Sequence, residues 1–352
     1  MRNIIFIIMC FILIACERKP LYIQGDIKLN VTVSVNTDIN SLWDPSWKEQ
    51  LIYEWDESKY GNIGYTSPDD VELVFFSNND ITSKQTISTH RRNTVDIDLN
   101  KSYDILIYNK TDSIRESYVG GRYYITTPSY IVENNSEISD KYIDIVQPGE
   151  IFSQSVKNIY MSDEDDDYEI IYENGKNVYV YNIDAILYPV SYIYIIQFII
   201  VNDDNSERIE AKDIENITIS GISARKNLLT GKPEYTGLNQ ISTMDIKDSQ
   251  ERKDSLLFAS RVTILDLLPE SENSSWITQQ NYLYYTIVDV NTFNYGTVNG
   301  TLDITRQLCD NPKGGVITVK ILNSDLKKGG QTSSGFGIDI NEWEKHIIDI
   351  DF

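Results

Sequence analysis

Alternation of apolar and polar residues at a period of two constrains this chain more than any other feature. Ile27, Leu29, Val31, Val33 and Val35 alternate with Lys28, Asn30, Thr32 and Ser34. Successive side chains leave a strand on opposite faces, so this segment predicts a strand with one buried side. Runs rich in Val, Ile, Tyr and Thr recur at 71–76, 94–99, 105–108, 214–219, 282–290, 315–322 and 347–352, with Asn, Asp, Gly and Pro between them. Residues 193–201 form a nearly continuous apolar run instead, the pattern of a strand covered on both faces. With no long helical period between strands, the expected fold is all-β, built of β-sandwiches rather than a parallel α/β sheet. Residues 42–55 place Trp43, Trp47, Leu51 and Trp55 four apart, which fits a short helix or an irregular insertion packed on a sheet.

Punctuation suggests how the strands are divided. A break follows Gln147-Pro148-Gly149, an acidic stretch spans Asp163, Glu164, Asp165, Asp166 and Asp167, and strand-like sequence resumes at Asn177. The expected organisation is an N-terminal β-sandwich domain over 27–176 and a C-terminal one over 177–352, preceded by a linker at 16–26 and a signal peptide at 1–15.

The N-terminus carries the most specific signal. Met1 and Arg2 precede an apolar run from Ile4 to Ile14, followed by Ala15 and Cys16, and Glu17, Arg18 and Lys19 end it. That order is a secretory signal peptide's, and the run is about half the roughly 20 residues a membrane-spanning helix needs. Leu13-Ile14-Ala15-Cys16 resembles the bacterial lipobox, whose cysteine receives diacylglycerol and becomes the acylated mature N-terminus. Each buried CH₂ of an acyl chain contributes about 0.8 kcal/mol, so several chains on one residue give stable attachment. Lipidation at Cys16 and an outer-membrane location, facing the periplasm or the cell surface, are the expectations.

The remaining composition argues mainly by exclusion. Cys10 falls in the removed run and Cys16 carries lipid, which leaves Cys309 as a small buried hydrophobe with no partner for a disulfide. A formal net charge of −22 opposes binding to nucleic acid or an anionic lipid surface, both of which require clustered Lys and Arg. The chain has two histidines, His90 beside Arg91 and Arg92 and His346 after Glu344-Lys345, and neither adjoins a nucleophile motif. No catalytic residue, cofactor or zinc site is expected. The acidic residues Asp163 to Asp167 lack the spacing and Gly of an EF-hand-like loop and suggest a solvated loop. Thr230-Gly231-Lys232-Pro233 suggests a turn, since the full phosphate-cradling motif is missing.

Several segments resemble DUF5119, a family of Bacteroides-type lipoproteins similar to fimbrial anchor and accessory proteins of the FimB/Mfa2 type. They are Cys16-Glu17-Arg18-Lys19-Pro20-Leu21-Tyr22, the strand from Lys101 to Asn109, the stretch from Ser220 to Lys232, and Gly335-Phe336-Gly337-Ile338-Asp339-Ile340-Asn341-Glu342-Trp343. The resemblance implies two tandem transthyretin-like β-sandwiches in a membrane-anchored protein that seats or terminates a fimbria-like polymer. Asp112-Ser113-Ile114 and Asp254-Ser255-Leu256 resemble the short O-glycosylation sequon of such bacteria, in keeping with export.

The expected function is therefore attachment or assembly through protein contacts, with fimbrillin-like subunits as partners by strand addition. Unpaired strand edges suit that role, because their N–H and C=O groups can be completed by a partner's extended segment. The candidate edges are the first strand, from Ile27 to Val35, and the last, from Ile347 to Phe352. The alternative is a glycan-binding lipoprotein using Trp43, Trp47 and Trp55, although helical spacing favours a buried aromatic stripe. A third reading, an enzyme acting on surface polysaccharide, would require a cleft with two facing carboxylates.

Overall fold

The computed structural model describes residues 26–98, 101–130, 143–161, 168–202, 214–237, 239–242, 247–268, 281–288 and 297–322. The chain is all-β, as its alternation predicts, with four sheets and a few short helices among the described residues. The first sheet has eight strands. Seven run in the order β3 (Asp80–Ser88), β2 (Asp70–Ser77), β5 (Lys101–Tyr108), β10 (Phe152–Met161), β12 (Lys176–Pro189), β1 (Asp26–Val35) and β4 (Asn93–Asp96), and β11 (Glu169–Glu173) also pairs with β12. The second has four strands, β18 (Gln250–Arg252), β19 (Ser255–Ile264), β13 (Tyr192–Val201) and β22 (Gly315–Leu322).

The third sheet has six strands, β21 (Thr297–Asp303), β20 (Tyr282–Val288), β14 (Ile214–Ile222), β17 (Asn239–Ser242), β9 (Ile143–Ile145) and β8 (Ser129–Tyr130). The fourth has four, β16 (Lys232–Glu234), β15 (Arg225–Asn227), β7 (Arg122–Thr126) and β6 (Arg115–Val119).

Burial phase shows how the layers stack. Val74 and Phe76 of β2 and Leu106 and Tyr108 of β5 pack with Tyr123 and Ile125 of β7 in one core, while Val71, Leu73, Phe75, Ile105 and Ile107 enter another. These strands are therefore covered on both faces. The run at 193–201 behaves as its continuous hydrophobicity predicts. Ile193 and Ile195 join the core of the first sheet, and Tyr194, Ile196, Phe198 and Ile200 face Ile217, Ile219 and Leu283 of the third.

A wedge of irregular chain helps connect the first and second sheets. It contains a 3-10 turn at Ile39–Ser41 and two one-turn helices, α1 (Trp47–Gln50) and α2 (Glu57–Tyr60). Trp43, Trp47, Tyr53, Ile63 and Tyr65 are buried in the first core, with Trp43 and Trp47 edge to face at 5.2 Å between ring centroids. Of the residues spaced four apart only Trp47 lies in a helix, so the spacing marks packing residues of an irregular insertion. Gln197 of β13, fully buried, ties the wedge down. Its Oε1 accepts from the Ile52 and Tyr53 amides at 3.0 and 3.2 Å, and its Nε2 donates to the Gln50 carbonyl at 2.6 Å.

The acidic stretch does not separate the sheets. Residues 177–189, assigned by sequence punctuation to the C-terminal half, lie in β12, which pairs in parallel with β1 over ten residue pairs and belongs to the first sheet. The chain passes from the first sheet to the second at residues 190–191, where β12 gives way to β13. Strands from the two halves also mix elsewhere, since β7 pairs with β15 and β9 with β17.

Candidate functional site

The chemistry-bearing residues singled out by sequence remain scattered. His90 is exposed, with Nε2 2.9 Å from Asp69 Oδ1 on the surface. Cys309, expected to be buried, is exposed on α3 (Thr305–Asp310). That helix turns Leu308 inward, and a step of about 100° to the next residue points Cys309 outward. No group of three or more His, Cys, Asp or Glu side chains converges among the described residues. Among those residues no helix is long and apolar enough to cross a membrane. Cys16, His346 and the acidic residues from Asp163 to Asp167 lie outside the described residues, as does the last candidate edge from Ile347 to Phe352.

Among the described residues the tryptophans offer no open stacking platform. Trp43 and Trp47 are buried. Trp55 is half-buried, donates from Nε1 to the Gly61 carbonyl at 2.9 Å, and packs edge to face on Tyr60. Lys247 Nζ lies 5.8 Å from its ring centroid. In both sequon-like triplets the apolar residue, Ile114 or Leu256, is buried and the serine half-buried. The turn falls at residues 228–231, with Gly231 at φ +69°, so Thr230 and Gly231 lie in it while Lys232 and Pro233 already belong to β16.

The first strand is closed on both sides over residues 28–31. β1 pairs in parallel with β12 on one side and antiparallel with β4 on the other through residues 28–31. The correction has a topological cause, because β12 returns from far along the chain to lie beside β1.

An edge is exposed one strand further on. All five residues of β11, Glu-Ile-Ile-Tyr-Glu, are exposed, with Ile170 at 60 %, Ile171 at 37 % and Tyr172 at 76 %. It forms a hairpin with β12 through Asn174 and Gly175, both at positive φ (52° and 80°), the geometry of a type I′ turn. In such a two-residue hairpin the flanking pair, here Glu173 and Lys176, is hydrogen-bonded, and bonded pairs then alternate. Ile170 and Tyr172 occupy the non-bonded positions, so their N–H and C=O groups point away from β12. Among the described residues no strand pairs on that side. The Ile170 and Tyr172 side chains share a face with Tyr168 and Tyr179, which are half-buried against the first core with ring centroids 6.3 Å apart. The core's apolar face thus runs out along the hairpin to solvent.

Charge flanks this edge. Glu173 pairs with Lys28 Nζ at 2.8 Å, and Glu169 accepts from the neutral Asn182 amide at 3.2 Å. Asn-Gly between two apolar-rich runs is the strongest short-range hairpin signal a sequence offers, and it was the cue that could have located this edge.

At the β3 end of the first sheet, Lys84 of β3 reaches Glu116 at 2.6 Å and the Tyr108 hydroxyl at 2.9 Å, with Tyr108 and Tyr123 hydroxyls 2.8 Å apart. Burial works to raise the Glu116 carboxyl, but hydrogen bonds from Lys84 and the two tyrosines, with the lysine's charge, hold it below the usual carboxylate range. Burial is also the main cause that raises Tyr108 far above an ordinary phenol. This network fastens β3 to β6 and β7 and keeps its charges internally balanced.

No family model matches the chain, and no curated protein does. The chain is similar to several solved structures. The fimbrial anchor protein Mfa2 from Porphyromonas gingivalis aligns at 7% identity and TM-score 0.46, covering 84% of this chain and 90% of that one. A candidate adhesin from Bacteroides thetaiotaomicron aligns at 7% identity and TM-score 0.49, covering 85% and 93%. A candidate polysaccharide-binding protein (DUF1812) from the same species aligns at 9% identity and TM-score 0.47, covering 86% and 93%.

Chemically, the β11 hairpin offers backbone donors and acceptors, apolar side chains and flanking carboxylates. That set suits noncovalent recognition of an extended chain.

Proposed function

We propose that this chain is a lipid-anchored protein of the bacterial cell envelope, held in the outer membrane by acyl groups on Cys16, that acts as an anchor or assembly subunit of a fimbria-like polymer through protein contacts. The observation that carries the reading is the β11 edge, where Ile170, Ile171 and Tyr172 stand exposed and no strand pairs on the outer side among the described residues. Exposed apolar edges of this kind pair with other chains. The lipobox-like Leu13-Ile14-Ala15-Cys16 supports attachment, and the segmental resemblance to DUF5119 supports a fimbria-like setting. The wedge tryptophans contribute packing to this protein and no ligand surface.

The test is isolation of the tagged protein from detergent-solubilised envelopes of its native type of host, alongside Cys16→Ala, with co-purifying chains identified by mass spectrometry. Expected are incorporation of labelled palmitate that is lost in the variant and recovery of a fimbrillin-like subunit with the wild type. A lipidated protein that returns alone and retains polysaccharide on a glycan array overturns the reading in favour of glycan binding.

A further inference from the structure

We propose that the outer edge of β11 receives an extended segment of a different protein, with apolar side chains opposite Ile170 and Tyr172 and cationic ones opposite Glu169 and Glu173. This rests on the proposed function and specifies its partner by chemistry.

The hydrogen-bond register sets the frame. The outward N–H and C=O groups of Ile170 and Tyr172 match those of one incoming strand, whose alternate residues lie directly beside theirs. The most favourable cross-strand neighbours of an exposed Ile and Tyr are β-branched or aromatic. An arriving apolar pair extends the half-buried strip of Tyr168 and Tyr179 and removes Ile170 and Tyr172 from water.

Charge then selects among occupants. A second copy pairing antiparallel about Ile171 would set Glu169 of each copy opposite Glu173 of the other, and like charges directly opposed destabilise a sheet. Lys28 sits beside Glu173, whereas Glu169 has a neutral amide neighbour in Asn182, so self-pairing leaves repulsion at both ends. Two chains of net charge −22 also repel at longer range. A segment of the form cation–apolar–any–apolar–cation reverses both terms and fits the same backbone register.

The test uses the full-length lipidated protein in detergent micelles and a fluorescein-labelled peptide, Thr-Arg-Val-Thr-Val-Arg-Thr, followed by fluorescence anisotropy. This peptide is expected to bind about tenfold tighter than its counterpart with Glu in place of Arg, the effect of two favourable cross-strand charge pairs. The preference should shrink as salt rises. N-methylation of both Val residues should abolish binding by removing the donors that face β11. Ile170→Pro should weaken binding at least about tenfold while leaving the melting midpoint unchanged, because the lost N–H points outward and proline is tolerated on an edge. Ile170→Asp with Tyr172→Asp, which leaves the backbone intact, should weaken it as well.

Equal binding of the acidic peptide, tight binding of the N-methylated one, or unaltered binding by both variants overturns the proposal. So does a concentration-dependent dimer that Ile170→Pro dissociates, which would make the occupant a second copy. The two levels of inference separate in the native host. If wild type and Ile170→Pro recover the same protein partner equally, the β11 assignment falls while the proposed function stands. If neither recovers a protein, the proposed function itself falls.

Discussion

Replacing Gln197 with Leu tests whether the wedge is held by the side-chain amide of β13 or by apolar packing alone. The substitution roughly preserves volume and removes every polar contact of a fully buried side chain. The Tyr53 amide is buried and loses its acceptor, which costs about 1–3 kcal/mol. The Ile52 amide and the Gln50 carbonyl are partly solvated and together add roughly 1 kcal/mol. The Thr318 hydroxyl, which accepts from Gln197 Nε2 at 2.7 Å, is free to rotate and contributes little. The expected loss is about 3 kcal/mol, or a fall of about 4 °C in melting midpoint for a chain of this size. Circular dichroism melts measure the midpoint, and amide exchange locates the change, with faster exchange expected at Ile52 and Tyr53. Gln197→Glu, which keeps the acceptors but loses the donors and buries a charge, should be at least as harmful. A Gln197→Leu protein that melts at or above the wild-type temperature, with protected amides at 52 and 53, refutes the argument.

Other substitutions probe the remaining junctions. Glu116→Gln should lower the melting midpoint at pH 7. Because the folded carboxyl is held below its unfolded value, its stabilisation is present above the unfolded pKa and disappears as pH falls through the folded one, so the two melts should converge in acid. Lys226→Met should cost about 3 kcal/mol in chemical denaturation, since Lys226 is 1% exposed, pairs with Asp266 at 2.8 Å and donates to the Val190 and Leu265 carbonyls. Gly314→Ala should destabilise by at least about 2 kcal/mol in the same assay. Its φ is +103°, and a Cβ there would stand 2.3 Å from the Ile193 carbonyl and 2.6 Å from Trp43 Nε1.

Much of the fold follows from local pattern, and the pairing does not. Alternation located β1 and β14, a run rich in strand-forming residues located β2, and the continuous run at 193–201 revealed a strand covered on both sides, because burial acts on each residue locally. Partnership between strands depends on distant returns. Residues 176–189 lie directly beyond an acidic stretch that looks like a boundary, yet β12 pairs with β1, some 150 positions earlier. Single-strand periodicity carries no record of that neighbour. For the same reason the Ile27 to Val35 segment gave no sign of being flanked on both sides over residues 28–31. Cys309 shows a smaller version of the problem, since a six-residue helix with two adjacent apolar residues, Leu308 and Cys309, has too little periodicity to fix which of them turns inward.

The selectivity of the open edge is itself an argument for contact. Natural sheets blunt exposed edges with bulges, short strands, lysines or covering groups, and several edges here follow that rule. β3 carries a register shift opposite Phe75 and Phe76 and points Lys84 into a charge network. β4 is four residues long. At β22 the Gln307 side chain caps the Thr318 backbone, accepting from its N–H and donating to its carbonyl, each at 3.0 Å. β11, five residues long, has no lysine, no proline and no register shift, and sets three apolar residues in succession between two glutamates. The glutamates oppose pairing with the chain's own kind while leaving a basic, apolar segment free to add. An edge left apolar at its centre and acidic at its ends disfavours self-association and retains a place for one kind of partner.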